Sequence, residues 1–155
     1  MRKVALLILI ACCARGVAAQ CTPCEEIQTS TGAVTYRVAL KYRNTDGAFV
    51  MHISSGADQF NKDDLLKLAC KLHHDFKKER DLFVLVFDDN KAARRYQDPG
   101  TQHRDANWKT YAKSFKAFYA WKPATKKHWI VWDFDPLVTF SDGQKYAAAD
   151  LCLSP

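Results

Sequence analysis

The sequence of 155 residues predicts a single α+β domain, with the element order β-β-α-β-α-β-β, one mixed β-sheet and helices packed mainly on one face. Three observations support this class. Two segments of alternating polarity precede a segment with helical spacing, one stretch of six residues is apolar throughout, and the last third contains two aromatic-rich segments joined by a proline-containing turn. We find no internal repeat or heptad pattern.

The first two strands are predicted from residues 34–54. Residues 34–43 alternate strictly, and the apolar set is predicted to share one face: Val34, Tyr36, Val38, Leu40 and Tyr42. This pattern is typical of a strand with one buried and one solvated face. Phe49–Ser54 predicts a second strand, and the turn residues 44–47, which include Gly47, predict an antiparallel hairpin.

A helix and a central strand follow. Asn61 is a predicted N-cap, and apolar residues at helical spacing extend the helix from about Lys62 to about Lys78. Leu82–Phe87 is apolar on both faces, which is typical of an interior strand with cover on both sides. We expect this strand to run parallel to Phe49–Ser54, because a helix connects the two.

The C-terminal half predicts a short helix over residues 89–96, a polar surface loop over 97–107 and an aromatic hairpin. The hairpin strands are Phe115–Lys122 and Lys127–Phe134. Period-2 alternation puts Trp132 and Phe134 on one face of the second strand and Trp129 on the other. Residues 137–141 predict one more short strand, and the tail is expected to be held by Cys152.

Residues 1–19 are predicted to be a secretory signal peptide. They comprise a basic start, an apolar run and small residues up to Ala19, so cleavage before Gln20 would leave residues 20–155 as one secreted or periplasmic domain. An alternative is that Leu9-Ile10-Ala11-Cys12, which resembles a bacterial lipobox, directs a lipid anchor to Cys12. No later apolar stretch is long enough to predict a transmembrane span.

Four cysteines remain after this cleavage, which predicts two disulfides in an oxidising compartment: Cys21, Cys24, Cys70 and Cys152. The preferred pairing joins each N-terminal cysteine to one of Cys70 and Cys152. The alternative is Cys21–Cys24 with Cys70–Cys152. A redox role for Cys21 and Cys24 is disfavoured, because no strand precedes them.

Charge and motifs exclude several classes. Residues 1–19 contain three basic and no acidic residues, so their removal lowers the net charge from +6 to +3. That charge gives little reason to expect a specific nucleic-acid partner. The sequence has no nucleophile elbow, zinc-protease motif or phosphate-binding glycine loop, and it predicts no cofactor and no metal site.

Three residues are candidates for catalysis. Asp88 and Asp89 follow the central strand at its carboxyl end, where α/β units commonly bind ligands, and paired carboxylates can hold a cation or act as a base. His103 lies in the polar loop and could serve phosphoester chemistry. The competing interpretation is that Asp89 caps a helix while Asp88 and His103 are simply solvated.

The aromatic hairpin supplies the candidate binding residues, namely Trp121, Trp129, Trp132 and Lys122. Aromatic rings beside lysines can bind a glycan, an anionic surface or a protein, although alternate aromatics can equally form a core. We expect at least one of these tryptophans to be partly exposed. The sequence therefore favours an exported, non-catalytic binding module. The alternative is a small secreted hydrolase of phosphodiesters or glycans, and the sequence does not decide whether the protein is an enzyme.

Overall fold

The computed structural model describes residues 22–24, 34–56, 58, 60–96, 106–135 and 147–152. Several predicted features lie outside these residues: the signal peptide 1–19, Cys12, Cys21, His103 and the strand 137–141. No helix in the described part of the chain is long and apolar enough to cross a membrane.

The described residues form seven strands and three α-helices. In chain order they are β1 (Thr22–Pro23), β2 (Tyr36–Arg43), β3 (Phe49–Ser55), α1 (Lys62–Phe76), β4 (Leu82–Phe87), α2 (Asn90–Arg95), α3 (Trp108–Lys113), β5 (Phe115–Lys122), β6 (Lys127–Trp132) and β7 (Ala147–Cys152). The strands make one mixed sheet in the order β1-β7-β6-β5-β4-β3-β2. The predicted α+β class with a single mixed sheet is therefore confirmed.

The central unit has the predicted topology. β2 pairs antiparallel with β3, and β3 pairs parallel with β4 across α1, which places β4 in the interior of the sheet. Asn61 caps α1, because its Oδ1 accepts a hydrogen bond from the Asp64 amide at 3.0 Å. The helix ends at Phe76, two residues before the predicted end. β5 and β6 form the predicted antiparallel hairpin.

The strict alternation predicted for β2 is wrong. The pairing with β3 shifts between Val38 and Leu40, so a β-bulge moves the rest of the strand by one residue. Tyr36 lies on the α1 side, where its hydroxyl donates to Asp75 at 2.7 Å. Tyr42 lies on the opposite side of the sheet, with its ring 5.9 Å from that of His52. The bulge thus delivers Tyr42 to the face that α1 does not cover.

The second hairpin strand is shorter than predicted. β6 ends at Trp132, and Asp133 has a φ of 57°, a left-handed conformation that ends the alternation. Phe134 consequently packs with its ring 4.9 Å from that of Phe115, on the face opposite Trp132. The prediction that Phe134 shares a face with Trp132 is therefore wrong.

The sheet has a separate core on each face. The larger core packs α1 against one face and includes Leu68, Val84 and Tyr119. The smaller core packs the two short helices α2 and α3 against one end of the other face, around Phe87 and Phe115. The long helix thus covers one face, as predicted, whereas the short helices cover only part of the other.

One predicted disulfide is described. Cys24 and Cys70 are joined across 46 residues of sequence, so the pairing of Cys21 with Cys24 is excluded. β1 pairs parallel with β7 and places Pro23 opposite Cys152. The predicted bond between Cys21 and Cys152 involves a residue outside the described part and stays a prediction.

Candidate functional site

The sheet face opposite α1 carries two rows of side chains that cross six strands. The strand pairings align the first row as Tyr42, Val50, Phe83, Ala120, Trp129 and Asp150, and the second as Leu40, His52, Leu85, Phe118, Val131 and Ala148. Directly paired residues of neighbouring strands point to the same side of a sheet. We call these two rows the open face.

The open face carries four aromatic rings besides His52 and is only partly buried. Tyr42 and Leu40 are 43% and 39% exposed, and Phe83, Phe118 and Trp129 are half-buried. The rings of Phe83 and Phe118 stack with centroids 5.9 Å apart and an interplanar angle of 19°. The short helices α2 and α3 pack further along the sheet, and the second row adjoins them, because Leu85 and Phe118 pack against the smaller core. No residue of the first row belongs to that core or is among the residues packed against it.

A pocket of about 290 Å³ lies between the first strands of this face. Its lining is mostly aromatic: Tyr42, Asn44, Val50, His52, Phe83, Leu85, Tyr96 and Phe118. His52 is 3% exposed, and its Nδ1 lies 2.8 Å from the carbonyl oxygen of Ala93 in α2. A carbonyl only accepts, so this Nδ1 carries the hydrogen, and the contact fixes the ring orientation.

The predicted binding residues divide between the two faces. Trp121 and Trp132 are 5% and 7% exposed and belong to the core beneath α1, so they are not surface groups. Trp129 lies on the open face and is half-buried, as expected for at least one of the three tryptophans. The ammonium of Lys122 lies 6.0 Å from its ring centroid, a cation–π distance.

The predicted catalytic residues have structural partners or lie outside the described part. Asp89 caps α2, accepting a hydrogen bond from the Ala92 amide at 2.6 Å. Asp88 forms an ion pair with Lys116 at 3.3 Å. His103 is outside the described residues. Among the described residues, the predicted catalytic groups therefore do not form the cluster of acid and base side chains that the hydrolase alternative requires.

A histidine pair that the sequence did not reveal lies in the larger core. The ring centroids of His73 in α1 and His128 in β6 are 4.5 Å apart, and Trp121 lies 4.7 Å from His73. The Tyr119 hydroxyl is 3.4 Å from His128 Nδ1. Desolvation, followed by the charges of Lys77 and His74, lowers the pKa of His73. His73 is therefore adapted to a neutral ring.

The described residues offer no evident metal centre. No group of three His, Cys, Asp or Glu side chains in the described part of the chain is arranged to hold an ion. The spacing of Cys70 and His74 on one helix face resembles a ligand pair, but Cys70 is bonded to Cys24. The nearby His74 instead has its Nδ1 3.3 Å from Asp75.

Sequence reasoning missed the open face as a unit. It separated Trp129 from Trp132 by alternation. It gave no reason to bring Tyr42 to the face of Trp129, because the alternating sequence of β2 does not show the bulge. It also left His52 without a role. The apolar pattern on both sides of Leu82–Phe87 and the aromatic residues on both faces of the hairpin were the signals that the second face of the sheet needed partners.

Comparison of the chain with protein-family models, with curated proteins and with solved structures found no match.

Proposed function

We propose that the protein is an exported, non-catalytic binding module that holds its partner against the open face. The observation that carries this proposal is the set of partly exposed rings on the open face: Tyr42, Phe83, Phe118 and Trp129. A contiguous exposed apolar surface is costly in a soluble protein and commonly marks a binding site. Aromatic side chains are well suited to this role, since they give large contact areas with little rotamer entropy to lose.

Lys122 adds a cation at one end of this surface. Its ammonium stacks on Trp129, and Lys127 lies opposite it in the neighbouring strand. Rings flanked by cations suit a glycan, an anionic surface or an acidic protein segment as partner. Electrostatic complementarity of this kind contributes more to association rate and specificity than to affinity.

The direct test is a binding panel with a matched pair of variants. The panel contains immobilised neutral polysaccharides, acidic polysaccharides, an acidic polyglutamate peptide and vesicles rich in phosphatidylglycerol. Phe118→Ala removes a half-buried ring from the open face, and Phe76→Ala removes one on the α1 side. We expect binding to at least one panel member that Phe118→Ala weakens and Phe76→Ala leaves intact. Equal effects of the two variants, or no binding at all, would contradict the proposal.

Export is the second part of the proposal. The Cys24–Cys70 disulfide supports an oxidising compartment, where such bonds form and persist. We propose cleavage after Ala19, with lipid attachment at Cys12 as the alternative. Intact mass and N-terminal sequencing of exported protein separate the two, and a chain that still begins at Met1 would contradict both.

A further inference from the structure

We propose that the pocket in the open face binds a neutral sugar ring of a glycan. This inference rests on the proposed function, because it names the partner of the same surface. The pocket volume of about 290 Å³ lies at the lower end of the range for ligand sites. A site of this size suits one ring of a larger ligand, and the two rows of the open face provide room for a chain to continue.

The pocket lining is uncharged. None of the described residues that line it is an Asp, Glu, Lys or Arg. The nearest cations of β2 are directed elsewhere: Lys41 and Arg43 lie over the ring of Phe49, at 4.4 and 3.8 Å from its centroid, on the α1 side of the sheet. An anionic group in the pocket would therefore lose its hydration without gaining a counter-charge, which is unfavourable.

The walls of the pocket fit the two chemical characters of a sugar. The hydrogens on the C–H faces of a sugar ring are weakly positive, and they pack favourably against the negative faces of aromatic rings. Tyr42, Phe83 and Phe118 supply aromatic rings to the pocket lining. The hydroxyls of the sugar need hydrogen-bonding groups, because an unpaired buried polar group is costly. The residues that line the pocket include one asparagine, two tyrosines and one histidine, whose side chains carry such groups.

Two of these polar groups are held in place by the backbone. The Oδ1 of Asn44 accepts from the amides of Asp46 and Ala48 at 3.1 and 2.9 Å. His52 is fixed by its contact with Ala93. A polar group whose orientation is already fixed loses little conformational entropy on binding, which favours a specific ligand over general adhesion.

The test uses calorimetric titration with named oligosaccharides. The neutral probes are cellohexaose, chitohexaose and mannohexaose, and the acidic probes are oligogalacturonate and heparin fragments. Tyr42→Ala removes a pocket wall, and Val38→Ala is its control. Val38 is similarly exposed, at 44% against 43%, but is paired with Ile53 on the α1 side.

We expect at least one neutral probe to bind, with a loss of about tenfold or more in Tyr42→Ala and no change beyond about twofold in Val38→Ala. Binding of the acidic probes alone, or neutral binding that Tyr42→Ala leaves unchanged, would overturn the assignment of the pocket but leave the binding module standing. If none of these oligosaccharides binds, and no member of the wider panel binds either, both the pocket assignment and the proposed binding module are overturned.

Discussion

Replacing Cys24 by alanine should destabilise the protein by about 4 kcal/mol. The bond to Cys70 closes a loop across a sequence separation of 46, and the chain-entropy relation gives about this value for such a length. Cys24 is the better site for the test, because it is half-buried whereas Cys70 is 1% exposed within the larger core. Alanine at position 24 therefore removes the cross-link with little loss of packing.

The assay is urea unfolding followed by circular dichroism under non-reducing conditions. In a thermal unfolding experiment on the same variant, a loss of about 4 kcal/mol corresponds to a decrease in Tm of about 12–16 °C for a domain of this size. The m-value should also rise, since the denatured chain without the bond is less compact. The double variant Cys24→Ala/Cys70→Ala should lower the free energy of unfolding only slightly more than Cys24→Ala does. A loss below about 1 kcal/mol with an unchanged m-value would show that the bond does not constrain the unfolded chain.

Three other predictions concern the two cores and the exposure of Trp129. The lowered pKa of His73 means that the folded state binds fewer protons than the unfolded state, so stability is complete above pH about 6.5 and falls as the pH drops below it. His73→Phe should reduce the difference between urea midpoints at pH 7.5 and pH 5, and an unchanged difference would exclude His73 as the cause. Val84→Asp should prevent folding, because Val84 is 0% exposed, whereas Thr110→Asp on the surface of α3 should be tolerated; soluble, folded Val84→Asp protein would contradict the interior position of β4. Trp129→Phe should remove more of the acrylamide-quenchable fluorescence than Trp121→Phe does, and the reverse order would place the wrong tryptophan on the surface.

The sequence predicted most of the sheet because its signals are local. The apolar stretch Leu82–Phe87 and the alternation in the aromatic hairpin each depend on one strand alone, and both appear as expected. The N-cap at Asn61 is equally local, since its side chain bonds within the first turn of α1. α3 and β7, by contrast, carry weaker local patterns and were not predicted.

The site depends on information that one strand does not contain. Alternation separates Trp129 from Trp132 within one strand, but the register between β5 and β6 places Trp121 and Trp129 on opposite faces. The packing of α1 then determines that Trp121 is the buried one. The bulge in β2 is also a tertiary effect. The extra residue, Ala39, packs against the smaller core. Because its side chain is small, it does not interrupt the alternation of polar and apolar residues in residues 34–43. Tyr42 could therefore not be assigned to the site from the sequence.

The central claim is that the open face is the binding surface, and amide chemical-shift mapping tests it most directly. The ¹⁵N-labelled protein is titrated with whichever of the neutral or acidic oligosaccharides binds best in the calorimetric titration. We predict that the shifts concentrate on the two rows, at Tyr42, Phe83, Phe118 and the indole N–H of Trp129. Shifts confined to α1, or to the edge at Asp88 and Asp89, would contradict it, because that edge lies about 16 Å along β4 from Phe83 at the usual rise per residue.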